Sequence, residues 1–244
     1  MTYCVAMRLD AGLVFLADSR TNAGVDHINT YRKMHVFEKP GERVLVLMSS
    51  GNLAITQAVV NTLRERLEAR RGASLYRAKN MFEAAKHVGD CLREVHERDA
   101  AALQKFGMEF AAALILGGQI GGEEPRLFNI YAAGNFIEIQ RETPYCQIGE
   151  AKYGKPIIDR VIAPSTSLDE AAKCALISMD STIRSNLSVG LPLDLVLYER
   201  DSLSLGRQVQ ITQESPYYGA IRRQWGEHLR QGFAALPDID WAAL

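Results

Sequence analysis

Apolar positions change period along this chain. Residues 2–9 (TYCVAMRL) are largely apolar, pass through Asp10-Ala11-Gly12, and continue as GLVFLADS (12–19). A turn signal between two such runs predicts a hairpin. The run MHVFE (34–38), the dipeptide Pro40-Gly41 and RVLVLMSS (43–50) repeat the pattern, with turn chemistry supplied by Pro and Gly. The period then lengthens. Leu53, Val59, Val60, Leu63 and Leu67 predict a helix over 52–71; Met81, Ala84, Val88, Leu92 and Val95 predict another over 80–104. Strand patterns return at 109–117, 126–133, 135–140 and 145–149. A short helix is expected over 152–163, and a longer one from Ser167, where Ser167-Leu-Asp-Glu170 fits a capping box, to about Ser185. LDLVLYER (193–200) and QVQIT (208–212) read as final strands, and 215–235 as a helix with Tyr218, Ile221, Trp225 and Leu229 near one face.

Strands and helices therefore come in separate blocks, without regular βα alternation. That argues an α+β fold: two stacked antiparallel sheets covered by helix pairs, a four-layer αββα sandwich. Residues 1–205 are expected to form the domain. Residues 206–244 read as an extension, a strand and a helix that pack on the same domain or on neighbouring subunits.

Composition narrows the function classes. The 244 residues include 28 basic and 29 acidic side chains, a net charge of -1. Nothing in that balance attracts nucleic acid or an anionic membrane. The start MTYCVAMRLD does not read as a signal peptide, and the run FAAALILGG is far short of a membrane span. The expected location is the cytoplasm. The cysteines, at 4, 91, 146 and 174, read as scattered core thiols rather than a disulfide framework. The histidines, at 27, 35, 87, 96 and 228, show no HxxxH pair, so no metal site is expected. Gly117-Gly118 and Gly121-Gly122 read as flanking a turn and lack the Lys-Ser/Thr of a phosphate loop. The Arg-rich stretch 64–71, interspersed with Glu, reads as a solvated helix face.

The motifs in order carry a resemblance. A Thr opens the first strand. Ala17-Asp18-Ser19-Arg20 ends the second, Lys33 leads into MHVFE, and Ser50-Gly51 ends the next strand before a long helix. Over about residues 2–200 this resembles the proteasome β-type fold of N-terminal-nucleophile hydrolases. The length and the tail depart from the short HslV-type bacterial peptidase. With the start TYCVAMRLDAGLVFLADSRTNAGVD they are more similar to the bacterial Anbu, or ancestral β-subunit, family.

The resemblance implies amide-bond hydrolysis with Thr2 as nucleophile. An alcohol needs an adjacent base, and a terminal residue supplies its own in the α-amine, which titrates near ~8. Thr2 is small enough for ordinary removal of Met1. A cation beside the nucleophile lowers the pKa of amine and hydroxyl; Lys33 fits, with Asp18 as its partner, and Arg32 competes with Lys33. The backbone N–H of Gly51 is expected to receive the oxyanion. The family also places an Asp and a Ser late in the chain, beside the terminal amine and the Thr hydroxyl. Asp180 fits the Asp, and Ser188 the Ser, with Ser181 and Ser185 as alternatives. A Ser that follows a Gly in the family is replaced here by Glu150, after Gly149. Cys4 shares the strand face of Thr2 but would need three residues trimmed to act. No cofactor is required, and a large homo-oligomer, a ring or spiral, is expected; an unfoldase partner is left open. Two other functions compete: an amidohydrolase of the same class acting on a small amide, and a silent assembly subunit that keeps Met1.

Overall fold

In the computed structural model, residues 1–22, 28–69 and 72–242 are described. The first hairpin is β1 (Tyr3–Leu9) and β2 (Gly12–Asp18). A small pair follows, β3 (Arg20–Asn22) with β4 (Ile28–Thr30). The second hairpin is β5 (Met34–Lys39) and β6 (Arg43–Gly51). Two helices, α1 (Leu53–Glu68) and α2 (Met81–Lys105), lead to β7 (Ala112–Ile120), β8 (Arg126–Ile130), β9 (Phe136–Glu138) and β10 (Tyr145–Gly149). Then come α3 (Lys155–Val161), α4 (Leu168–Ser185), β11 (Leu193–Glu199), β12 (Arg207–Ile211) and α5 (Pro216–Ala234). The capping box expected at the start of α4 is present: Ser167 and Glu170 cap each other's backbone N–H groups.

One sheet runs β10-β1-β2-β11-β12 and the other β5-β6-β7-β8-β9, every pair in them antiparallel. Period-two alternation divides their side chains among three layers. Cys4, Ala6, Leu13, Phe15 and Ala17 meet Val44, Val46, Met48 and Ile115 between the sheets. Val5, Met7, Val14 and Leu16 face α3 and α4. Leu45, Leu47, Leu114 and Leu116 face α1 and α2. The result is the expected αββα sandwich. All four cysteines are buried free thiols.

Three local features differ from expectation. The strand expected at 109–117 is displaced to Ala112–Ile120, so Gly117 and Gly118 lie inside it and only Gly121-Gly122 serve the turn. A Cβ on Gly117 would press on the Phe15 ring at 2.7 Å; glycine here makes room for an aromatic between the sheets. The β3–β4 pair, three residues a side, was not expected from Arg20-Thr21-Asn22 and Ile28-Asn29-Thr30, which carry little apolar pattern. The helix predicted over 52–71 ends at Glu68, and Arg70 and Arg71 lie outside the described residues, as does His27. Among the described residues, no helix is long and apolar enough to cross a membrane.

β12 closes one edge of the first sheet, and α5 packs on α4 through Tyr218 and Ile221. Trp225 is half-buried and Leu229 exposed. Phe233, Leu236, Ile239 and Trp241 continue that apolar series into solvent.

Candidate active site

Thr2 immediately precedes β1 and is almost fully buried. The register of β1 with β10 sets Tyr3 opposite Gly149, so Thr2 comes opposite Glu150. The bond from Glu150 N–H to the Thr2 carbonyl, 2.8 Å, continues that pairing. Gly149 has φ 82°, and a Cβ there would overlap the Thr2 carbonyl oxygen. Glycine is therefore required where β10 bends past the end of β1.

Beside Thr2 lies an ion pair sealed from solvent. Lys33 Nζ donates to Asp18 Oδ1 at 2.8 Å, and the two residues are 4% and 0% exposed. The ammonium also donates to the Arg20 carbonyl at 2.7 Å and reaches the Met1 carbonyl at 3.5 Å. Asp18 Oδ1 accepts the Tyr3 N–H at 3.0 Å, and Oδ2 accepts the Gly190 N–H at 3.3 Å. Burial pushes the Asp18 carboxyl up; the Lys33 ammonium and the two N–H donors pull it down. With its charge spread over three donors, the carboxylate fixes the ammonium at the foot of Thr2. Arg32 is set apart: its side chain is exposed and lies 3.8 Å from Asp194.

Gly51 closes the constellation. Ser49 N–H donates to the Lys33 carbonyl, while Asn52 N–H donates across to the Ala111 carbonyl on the β7 side. Antiparallel alternation therefore turns the Gly51 N–H the same way as that of Ser49. β5 begins at Met34, so that N–H points past the strand's start. The φ of Gly51 is 117°, and a Cβ would overlap the Ala111 carbonyl oxygen. Thr2, Lys33, Ser49, Ser50, Gly51 and Glu150 all line one cavity of about 820 Å³. A peptide segment fits such a volume.

The late residues fall out differently. Asp180 is buried, but its two carboxylate oxygens are taken by Arg184 (2.9 Å) and Arg222 (2.6 Å), where α4 meets α5. It is not among the residues that line the cavity. Ser188 is half-buried in the segment between α4 and β11, with its N–H on the Asn186 side chain, and does not line the cavity either. Ser185 is exposed at the end of α4, and Ser181 is half-buried within it. The segment does reach the site through its backbone. Gly190 holds Asp18, and the Leu187 carbonyl accepts Arg20 at 3.0 Å. Gly190, Arg20 and the Tyr3 N–H were missed by sequence reasoning. A glycine just before a strand was the available signal for the first.

Cys4 is fully buried, its thiol bonded to the Ser49 carbonyl, and burial pushes its pKa far up. Such a thiol is a poor nucleophile. Among the described residues, no group of three or more His, Cys, Asp or Glu side chains is placed to hold a metal. The arrangement supplies a hydroxyl, a fixed cation beside it, and an N–H facing the same space. These are the parts of an acyl-transfer site.

Comparison with known proteins gives the family. The family described as "Proteasome subunit" matches residues 2–194. No curated protein matches the chain. Among solved structures, Anbu from Yersinia bercovieri is similar at 55% identity and a TM-score of 0.93, covering 98% of this chain and 100% of that one. Anbu from Hyphomicrobium sp. strain MC1 is similar at 50% identity and 0.91, again over 98% and 100%. The Anbu complex from Pseudomonas aeruginosa, described as a helical assembly, is similar at 49% identity and 0.94, over 99% of each chain. This chain belongs to the proteasome subunit family, in its Anbu (ancestral β-subunit) branch.

Proposed function

We propose that this chain is a threonine peptidase that hydrolyses amide bonds, with Thr2 as nucleophile once Met1 is removed. The observation that carries this reading is the buried Lys33–Asp18 pair, 2.8 Å long, at the foot of Thr2 in the wall of the cavity. A fixed ion pair beneath a threonine at a strand start has no need of that cavity for stability, and buried pairs stabilise poorly.

The steps follow from the groups present. The α-amine of Thr2 takes the hydroxyl proton, directly or through one water. The oxygen attacks the substrate carbonyl, and the Gly51 N–H stabilises the oxyanion. The leaving amine takes the proton and departs, and water cleaves the ester on Thr2. Lys33, fixed by Asp18, favours the deprotonated form of the hydroxyl. The reaction as written requires no cofactor. The work is proposed for the cytoplasm, within a large homo-oligomer, a ring or spiral, as the helical assembly of the Pseudomonas aeruginosa relative suggests. Neighbouring copies would cover Phe233, Leu236 and Trp241.

A second reading has its own observation. With Met1 retained, the Met1 carbonyl accepts from Lys33, and its sulfur accepts from the Asn186 amide at 3.8 Å. A chain that keeps Met1 has no free amine at Thr2 and would serve as a silent assembly subunit. Turnover of a mixed peptide-amide library by the native protein and by Thr2→Ala separates the two readings. Peptidase function predicts turnover lost in the variant at unchanged oligomer size. Equal turnover in both contradicts it.

A further inference from the structure

Glu150 is the charge in the cavity that the chemistry above leaves unused. The lining residues include two charged side chains, Lys33 and Glu150. Lys33 is neutralised by Asp18. Glu150 is not neutralised so closely: its Oε2 is buried and has no hydrogen-bond partner. The nearest cation is Lys152, 3.7 Å away on a largely exposed side chain. A buried carboxylate oxygen without a donor costs free energy unless a positive group comes to it.

The geometry says which positive group. Thr2 and Glu150 stand opposite each other at the end of the β1–β10 ladder, joined by the 2.8 Å bond from Glu150 N–H to the Thr2 carbonyl. Both residues also line the same cavity. The Thr2 nitrogen lies on the same residue as the bonded carbonyl, within reach of a glutamate side chain. In the Met1-retaining chain that nitrogen is a neutral amide. Trimming converts it to an ammonium at the place where the carboxylate lacks a donor.

We propose that Glu150 is a positioning residue that pairs with the α-ammonium of Thr2 after Met1 is removed, and thereby sets the pH at which that amine becomes a base. This rests on the peptidase reading for its catalytic consequence, though the pairing itself does not. The charged side chains gathered around Thr2 include Glu150, just past the end of β10, with Lys152 at 3.7 Å from it, and the Lys33–Asp18 pair. Lys33 and Asp18 largely cancel, and Lys152 is solvated, so the carboxylate of Glu150 prevails. A carboxylate beside an ammonium favours the charged form and raises its pKa. The amine then loses its proton only above its ordinary range, and Thr2 is activated towards alkaline pH.

The test compares wild type, Glu150→Gln and Glu150→Asp, each produced as the full chain with Thr2 as first residue from a cleavable N-terminal fusion. Competitive acetylation of the terminal amine with acetic anhydride across pH, read by mass spectrometry, gives the amine's titration directly. A peptide epoxyketone then reports the reactivity of Thr2 across the same pH range. The expected result is an amine midpoint about one pH unit lower in Glu150→Gln, hence about tenfold faster epoxyketone addition near pH 6.5, with the profiles converging above pH 9. Glu150→Asp should restore most of the wild-type midpoint, which a merely structural role would not do. Equal midpoints in wild type and Glu150→Gln overturn the pairing, and if the epoxyketone still adds to Thr2 the peptidase reading survives it. A shifted midpoint without addition keeps the pairing and removes the peptidase. If the midpoint stays put while Glu150→Gln loses turnover of lysine-containing peptides alone, the carboxylate serves a cationic substrate instead, and the pairing with the amine is overturned.

Discussion

Lys33 and Asp18, both almost fully buried, meet at 2.8 Å, and the carboxylate is also held by the N–H groups of Tyr3 and Gly190. The pair ties together the ends of β2 and β5 and the segment before β11. Removing one partner therefore acts on stability as well as on chemistry. Lys33→Ala leaves a buried carboxylate short of its cation and should cost about 3 kcal/mol. The double variant Lys33→Met/Asp18→Asn removes both charges and should recover at least half of that loss in urea unfolding. It should not recover turnover. Recovery of both would show that the pair serves stability alone.

Gly51 is constrained by its backbone. With φ 117° and the Ala111 carbonyl where a side chain would start, Gly51→Ala is strained whatever else it does. The expected cost is about 2 kcal/mol. Turnover should fall by about 100-fold beyond any loss of folded protein, the scale of one lost oxyanion donor. A stability loss with unchanged turnover per folded chain would remove Gly51 from the mechanism.

His35 gives a pH dependence with a definite sign. Arg64 donates to its Nδ1 at 3.2 Å, and its Nε2 is buried without a partner. Burial, then the Arg64 and Arg32 guanidiniums, lower its pKa from 6.5 to about 4. Because the folded protein resists protonation, stability is complete above pH 6.5 and declines as pH falls towards 4. The decline should approach ~3 kcal/mol from this residue. Unfolding curves from pH 7 to 4 should flatten in His35→Gln by about that amount, and parallel curves would contradict it.

Asp180 separates resemblance from placement. Its carboxylate is bound by Arg184 and Arg222, so it joins α4 to α5. Both arginine side chains are partly solvated, so Asp180→Asn should cost only about 1–2 kcal/mol. Epoxyketone addition to Thr2, per folded chain, should stay within twofold. A tenfold slower addition at unchanged oligomer size would return Asp180 to the site.

These cases also show what the chain reveals about itself. The β1–β2 and β5–β6 hairpins were legible because alternation and turn residues act over a few positions, as at Asp10-Ala11-Gly12 and Pro40-Gly41. The pairing of β2 with β11, and of β1 with β10, joins residues far apart in sequence and leaves no local mark. Thr2, Asp18, Lys33 and Gly51 were legible because each sits at a strand end in a familiar order. The roles of Gly190 and Arg20 were not: Gly190 acts through a backbone N–H, and Arg20, though part of the quoted motif, acts through its bond to the Leu187 carbonyl and its own carbonyl's bond from Lys33. Gly117 was misread as a turn glycine because its cause, the Phe15 ring, lies on the other sheet.

The most direct test of the account is the intact mass of the native protein, before and after exposure to a threonine-directed epoxyketone. The account predicts a chain that lacks one methionine and gains one inhibitor, with Thr2→Ala gaining none. A native chain that keeps Met1 and gains nothing would contradict it and leave the silent assembly subunit as the function.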